Sequence, residues 1–454
     1  MNLIYGRDFR GWSGPDGIYF EVTQEYTHLS EIHWRPEERA YCRFDDNGDL
    51  QHSVSVTVRS DHDEVSLVSF HWEPLETYLA ATDSSLVRMY DFTLLDRKKF
   101  RSWPDGPELS GASGADLFYR QKVFPGIGAF TRGIQILAPR RKAPEVFKAV
   151  TDSWSGKEER QHAEFIANDW RNERVTKIST DPSATTNYFD AKSNNLPYEL
   201  SPAFFKPEVL LKYKTDRDKY TVEDRSITCR AAWYLRGYDV NSAGQVHAYI
   251  CDLRSLPYNE QLHWLSFNEK PKEGISERAY INDFKGEWSK VTKPLQKIIA
   301  ILRKWGEAKV PWWTLRDPRL FERVTVPYSA SRDEWADSFM DLAKLVNEGF
   351  EVKVIRKKLD EVRVKYAADG SIALLEKLAS HASDDDVSFS ALRTVQRIRS
   401  KVKGHSGSSE AEEITRDALA NHESFAKHFE SVAEKITTEL AAIEALFPES
   451  SELA

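Results

Sequence analysis

The chain of 454 residues carries 63 Lys and Arg against 71 Asp and Glu, a net charge of −8, with 41% hydrophobic and 30% charged residues. A chain this long buries more than one core, and its 13 Trp, 18 Tyr and 23 Phe exclude extensive disorder, while the acidic balance excludes a bulk nucleic-acid coat and leaves room only for a local basic site. Cys42, Cys229 and Cys251 are too few and too scattered for a disulfide framework or a paired zinc motif, the N-terminal MNLIYGRDFRGWSG is no secretory signal, and no apolar run reaches membrane-spanning length, so a cytoplasmic setting without membrane contact is expected.

Residues 1–155 read as a β-rich domain. In His52–Ser60 the residues Val54, Val56 and Val58 alternate with polar neighbours, the period of a half-buried strand, and Asp45-Asp46-Asn47-Gly48 ahead of it is turn chemistry. Further strands are expected at Glu64–Trp72, Leu86–Leu94, Asp116–Phe124 and Ala129–Leu137, with a short helix at Pro74–Ala81. Residues 156–290 read as a mixed α/β domain, cut into short pieces by six prolines. Helices are expected at Glu158–Trp170 and Pro207–Lys214 and strands at Thr228–Leu235 and Gln245–Leu253. Residues 291–332 read as a connecting segment, with a helix at Pro294–Trp305 followed by VPWWTLRDP, whose paired tryptophans are expected to pack between domains.

Residues 333–454 turn helical. Helices are expected from Asp333 to Asn347, then at Val352–Val362, Ser371–Ala382 and Val387–Lys403, the last capped by Asp384-Asp385-Asp386. In the final helix Phe425, Phe429, Val432, Ile436, Leu440, Ile443 and Phe447 form a continuous apolar stripe. The whole is an α+β multidomain chain ending in an all-α bundle of four or five helices.

The chemistry concentrates in LRTVQRIRSKVKGHSG, Leu392–Gly407, which holds Arg393, Arg397, Arg399, Lys401 and Lys403 and no acid. Leu392, Val395, Ile398 and Val402 make its apolar face, which turns Arg393, Arg397, Ser400 and Lys401 to solvent and leaves Arg399 and Lys403 on the flanks. Arg399 and His405 are six positions apart, about 120° on an ideal helix, so they converge only where the helix ends or bends near Gly404. An arginine and a histidine beside a local basic surface suit RNA cleavage without a metal, and no cofactor is expected.

Arg399, Ser400 and His405 in this helical context resemble the signature of the HEPN superfamily of helical ribonucleases: an arginine followed by a polar residue and, a few residues on, a histidine. The resemblance covers roughly the last 115 residues. It implies attack of a ribose 2′-OH on the adjacent phosphate, with His405 as general acid or base, Arg399 stabilising the phosphorane and Ser400 orienting the phosphate or the histidine. Arg393, Arg397, Lys401 and Lys403 would contact the RNA backbone. It further implies a homodimer through the helical domain and a role as effector of a bacterial anti-phage or toxin-type defence system. The first two domains would then sense a phage or defence-system protein. The alternative is a non-catalytic binding or scaffold protein whose helical domain mediates dimerisation or partner contact.

The central stretches EFIANDW, DPSATTNYF, RAAWYLRGYDV and INDFKGEW resemble bacterial proteins of unknown function and supply no mechanism. Asp169, Asp181, Glu199, Glu208, Asp224, Arg225, His247, Asp252, His263 and Asp283 are numerous enough for a metal site, but their spacings match no ligand pattern. GIGAFTRG misses the dinucleotide-binding spacing. Phe350-Glu351-Val352-Lys353 sits at a helix start, not in a nuclease strand. His28 and His33 are expected to be a partly buried pair, and His422 and His428 ordinary surface or packing residues.

Overall fold

Alternation of side chains along the N-terminal segments builds antiparallel sheet, and a switch to a 3.6-residue period builds helix beyond residue 294. The computed structural model describes residues 2–8, 18–59, 64–95, 109–124, 128–154, 160–230, 232–290, 292–383, 385–403 and 409–448. The chain forms two compact units, residues 1–45 with 49–160, and residues 46–48 with 161–454. The N-terminal unit is β-rich, and the second unit is mixed α/β with a helical C-terminal region.

The N-terminal unit runs β1 (Ile4–Asp8), β2 (Ile18–Val22), α1 (Gln24–Leu29), β3 (His33–Arg35), β4 (Ala40–Phe44), β5 (Leu50–Arg59), β6 (Glu64–Phe70), α2 (Trp72–Ala81), β7 (Leu86–Leu95), β8 (Leu109–Ser113), β9 (Leu117–Phe124), β10 (Gly128–Leu137) and α3 (Ala143–Trp154). β1 pairs with β2, β3-β4-β5-β6 make one antiparallel sheet, and β7-β10-β9-β8 make another. The core is small and lies on the first sheet: Val22, Tyr26, Ile32, Tyr41, Val54, Leu75, Tyr78 and Leu79. The second sheet adds only the partly buried Leu86 to it. Gly133 in β10 lies against the Tyr90 ring of β7, and a Cβ there would sit 2.5 Å from the backbone carbonyl oxygen of Phe118, which favours glycine. His28 and His33 are both exposed, which corrects the expected partly buried pair.

In the second unit, β11 (Glu164–Asp169), β12 (Arg174–Ser179), β13 (Pro202–Phe205), α4 (Leu211–Thr215), β14 (Tyr220–Val222), β15 (Ile227–Cys229), β16 (Trp233–Leu235), β17 (Asp239–Val240), β18 (Val246–Tyr249), α5 (Ile250–Arg254), α6 (Tyr258–Ser266), β19 (Asn268–Glu269) and α7 (Glu277–Ala279) come first. The order β12-β11-β13-β18-β17, with β19 also on β13, makes the main sheet, and β14-β15-β16 a smaller one. Three expectations fail here. Of Glu158–Trp170, the described residues 160–170 are not helical: Phe165, Ala167 and Asp169 are buried at alternate positions, and pairing with β12 and β13 holds Glu164–Asp169 extended. Thr228–Leu235 is two strands, broken at Arg230 with φ of 47°. Gln245–Leu253 is strand only to Tyr249 and then helix.

The helical region comprises α8 (Pro294–Glu307), α9 (Leu320–Arg323), α10 (Arg332–Val346), α11 (Val352–Glu361), α12 (Ser371–Ser383), α13 (Ser390–Ile398), a π-helical turn at Arg399–Lys403, α14 (Ser409–His422) and α15 (Phe425–Ala445). Pro294 at the first turn of α8 and Ser331, whose hydroxyl accepts from the Glu334 amide at 3.3 Å, are ordinary start signals. Every residue of the terminal apolar stripe is buried. Trp312 and Trp313 are buried within this helical core, not between domains, with Trp312 stacked on Phe447 at 4.7 Å. No helix among the described residues is long and apolar enough to cross a membrane.

Within the second unit, buried ion pairs join the sheet region to the helices. Lys214 of α4 reaches Glu334 of α10 at 2.5 Å and the Val326 carbonyl at 2.7 Å, and both charged side chains are over nine-tenths buried. Arg217 reaches Asp341 at 2.6 Å. Glu334 also accepts from the Ser329 amide at 3.0 Å, so its carboxylate satisfies both elements at once.

Candidate functional site

The basic segment folds largely as its pattern dictates. Leu392, Val395, Ile398 and Val402 are all buried, while Arg393, Arg397 and Ser400 are exposed. α13 begins later than expected, at Ser390, with Phe389 rather than Asp385 or Asp386 at its N-cap; Asp384 lies outside the described residues. Glu439 of α15 accepts the amides of Ala391 and Leu392 at 2.8 and 3.0 Å, and Glu376 of α12 accepts that of Phe389 at 2.8 Å. Carboxylates delivered from two other helices thus occupy the positive end of α13.

At its other end the α-helix gives way to a π turn over Arg399–Lys403. Such turns cluster at functional sites because they re-aim side chains. Arg399 opens the turn, is about a third exposed (31%), and meets Glu348 at 2.5 Å. Ser400 donates its hydroxyl back to the Gln396 carbonyl at 2.9 Å. His405 and the neighbouring Gly404 lie outside the described residues, as does the side chain of Lys403.

The other cations are also paired. Arg393 makes a two-pronged contact with Glu376, one arm at 2.7 Å, and Arg397 and Lys401 share Glu410 of α14 at 3.7 and 3.0 Å. Lys401 first, and then Arg397, hold the Glu410 carboxyl below its ordinary value. Burial alone would raise Glu376, but Arg393 and the Phe389 amide bring it below normal. The segment has no acid in sequence, yet each described cation finds a carboxylate in the fold. His428 is buried against Trp335, whose indole N–H donates to its Nδ1 at 3.1 Å. Burial, then His422, pushes the imidazole down to about 4, so it serves packing.

Several of the central acids form ion pairs, while His247 and His263 make hydrogen bonds to the backbone. Asp239, which the spacing argument missed, accepts from Nη2 and Nε of Arg278 (2.8 and 3.0 Å), from Ser276 at 2.7 Å and from Lys293 at 3.3 Å. Burial opposes its charge, yet these partners hold it far below the ordinary carboxylate range. Asp224 pairs with Arg278, and Asp283 with Arg225 at 2.6 Å and the Tyr249 hydroxyl at 3.0 Å. His247 is fully buried; it accepts the Ser276 amide at Nε2, and burial pushes it down to about 4. Burial, then Asp283, pushes Asp252 up to about 6. No group of three or more His, Cys, Asp or Glu residues able to hold a metal occurs among the described residues.

No protein-family model matches the chain, and neither does any curated protein or solved structure.

Proposed function

We propose that the C-terminal helical region is a HEPN-type, metal-independent endoribonuclease domain. The observation that carries this reading is Arg399: a partly exposed guanidinium at the start of a π turn, six residues before His405 and anchored by Glu348. In the reaction the ribose 2′-OH loses its proton to a general base and attacks phosphorus. The bond to the 5′-oxygen breaks, leaving a 2′,3′-cyclic phosphate and a protonated 5′-OH. His405 is the proton-transfer group and Arg399 binds the extra negative charge of the phosphorane. Ser400 orients the phosphate once its hydroxyl leaves the Gln396 carbonyl. Arg397, Lys401, Lys403 and Arg393 meet flanking phosphates. A homodimer through this region would set two such motifs face to face. The setting we infer is a bacterial anti-phage or toxin-type defence system, with the remaining regions recognising a phage or defence-system protein.

A second reading, a non-catalytic binding or dimerisation module, is favoured by one observation: the described cations of the segment are already paired with carboxylates. Incubation of purified protein with total RNA in EDTA, wild type against His405→Ala, separates the two. Cleavage by the wild type alone, leaving 2′,3′-cyclic phosphate ends, is the expected result. Absence of cleavage, together with expression toxicity that Arg399→Ala/His405→Ala does not relieve, would overturn the nuclease reading in favour of the binding module.

A further inference from the structure

Among the described residues the sheet β7-β10-β9-β8 leaves apolar side chains open on both faces, with Phe92 67% and Leu94 46% exposed on one, and its paired rings and cations lie on the other. On that face β9 presents Phe118, Arg120, Lys122 and Phe124, and β10 presents Phe130, Arg132, Ile134 and Ile136. The register sets Phe118 opposite Ile134, Arg120 opposite Arg132, and Lys122 opposite Phe130. Phe118 is 52% exposed and Phe124 39%. The buried Val123 and Ala129 belong to the opposite face. An apolar sheet surface left open in this way marks a binding site more often than an accident of folding.

The cations decide what binds there. Lys122 sits 4.7 Å over the Phe124 ring and Arg132 4.9 Å over the Phe130 ring, and the two rings lie 5.9 Å apart at 32°. Arg132 has one acid neighbour, Asp91, at 3.0 Å. Arg120 and Lys122 have no carboxylate partner among the described residues. Three cations against one acid would repel a second copy of the same face, and they attract a polyanion. Rings on a flat sheet, alternating with lysine and arginine, provide what a single strand needs: π-faces for bases and positive charge for phosphates.

We propose that this face binds single-stranded nucleic acid, stacking bases on Phe118, Phe124 and Phe130 and contacting phosphates with Arg120, Lys122 and Arg132. The binding itself is independent of the nuclease reading; only the expectation that the strand is RNA rests on it.

The test is a fluorescence-anisotropy titration of the full chain with labelled mixed-sequence single strands, one of 2′-O-methyl RNA, which a 2′-OH mechanism cannot consume, and one of DNA, beside an RNA duplex. Single strands should bind more tightly than the duplex, and the two single strands identify the source. Phe124→Ala/Phe130→Ala should lose roughly tenfold or more in affinity. Arg120→Gln/Lys122→Gln should lower the slope of log affinity against log salt by about 1.4, at about 0.7 per phosphate contact. Arg88→Gln, on the opposite face, should bind as the wild type does. Melting curves of each variant guard against misfolding. Unchanged affinity in both sheet variants, or no saturable binding by the wild type, overturns the proposal. So does sedimentation showing that the sheet variants only abolish a dimer. If Arg399→Ala/His405→Ala loses the binding while the sheet variants keep it, the strand is held by the C-terminal region and this proposal falls alone.

Discussion

The basic segment of α13 and the open face of β9 and β10 use the same residue types with opposite electrostatic outcomes. In α13 the arginines and lysine meet Glu348, Glu376 and Glu410, so most of the local field is spent inside the fold. On the sheet, Arg132 meets Asp91, but Lys122 lies over a phenylalanine ring and, like Arg120, meets no carboxylate among the described residues, which leaves two of three charges available to a ligand. The contrast teaches that a run of basic residues in sequence is a poor measure of positive potential. What matters is which acids the fold brings back to it, and these lie 17 residues away for Arg393 and more than 50 for Arg399.

Five experiments would break or sharpen that comparison. The largest effect is expected from Arg399→Ala, which should reduce RNA cleavage by about 10²–10³, the usual cost of removing one charge-stabilising donor; single-turnover cleavage of a short oligonucleotide measures it. A smaller effect would mean that Glu348 rather than the phosphorane is this arginine's main partner. Next, Glu334→Gln strands Lys214 in a buried position and should cost ~3–5 kcal/mol in denaturant unfolding, against little for the exposed pairs of α13.

The third concerns pH. His247 and His428 have folded pKa values of about 4 against an ordinary 6.5, so the unfolded chain binds more protons in that window and stability falls as pH drops through it. Asp252, raised to about 6, acts in the opposite sense between roughly 4 and 6. From pH 7 to pH 5 the net loss should be roughly 2–3 kcal/mol, read by urea unfolding, and His428→Gln should flatten part of it. The smallest effect is the most diagnostic. Glu410→Gln releases Arg397 and Lys401 and should steepen the salt dependence of RNA binding by up to about 1.4, and Glu348→Gln should change cleavage by less than about fivefold.

Sequence patterning located most long elements because their periodicity is local. The stripe from Phe425 to Phe447 identifies its own buried face, whereas in β5 the polar Ser53 is buried beside Val54. Patterning failed where partners decide. EFIAND reads as helix until β12 and β13 are placed beside it, and three aspartates read as a cap until Glu439 is found in their place. The π turn at Arg399 has no sequence marker. The open sheet face was hidden for a different reason: β9 and β10 were both legible as strands, but whether a core covers either face is decided by elements elsewhere in the unit.

The capping of α13 by Glu439 carries a consequence for biosynthesis. The helix that bears the arginines has no start signal of its own, and its first amides are satisfied only once the last helix has docked. A nascent chain that stops short of residue 439 therefore leaves the Ala391 and Leu392 amides to water, which weakens α13 by about 1 kcal/mol. If that segment cuts RNA, its helix is least stable before residue 439 is made, which favours sparing the message being read.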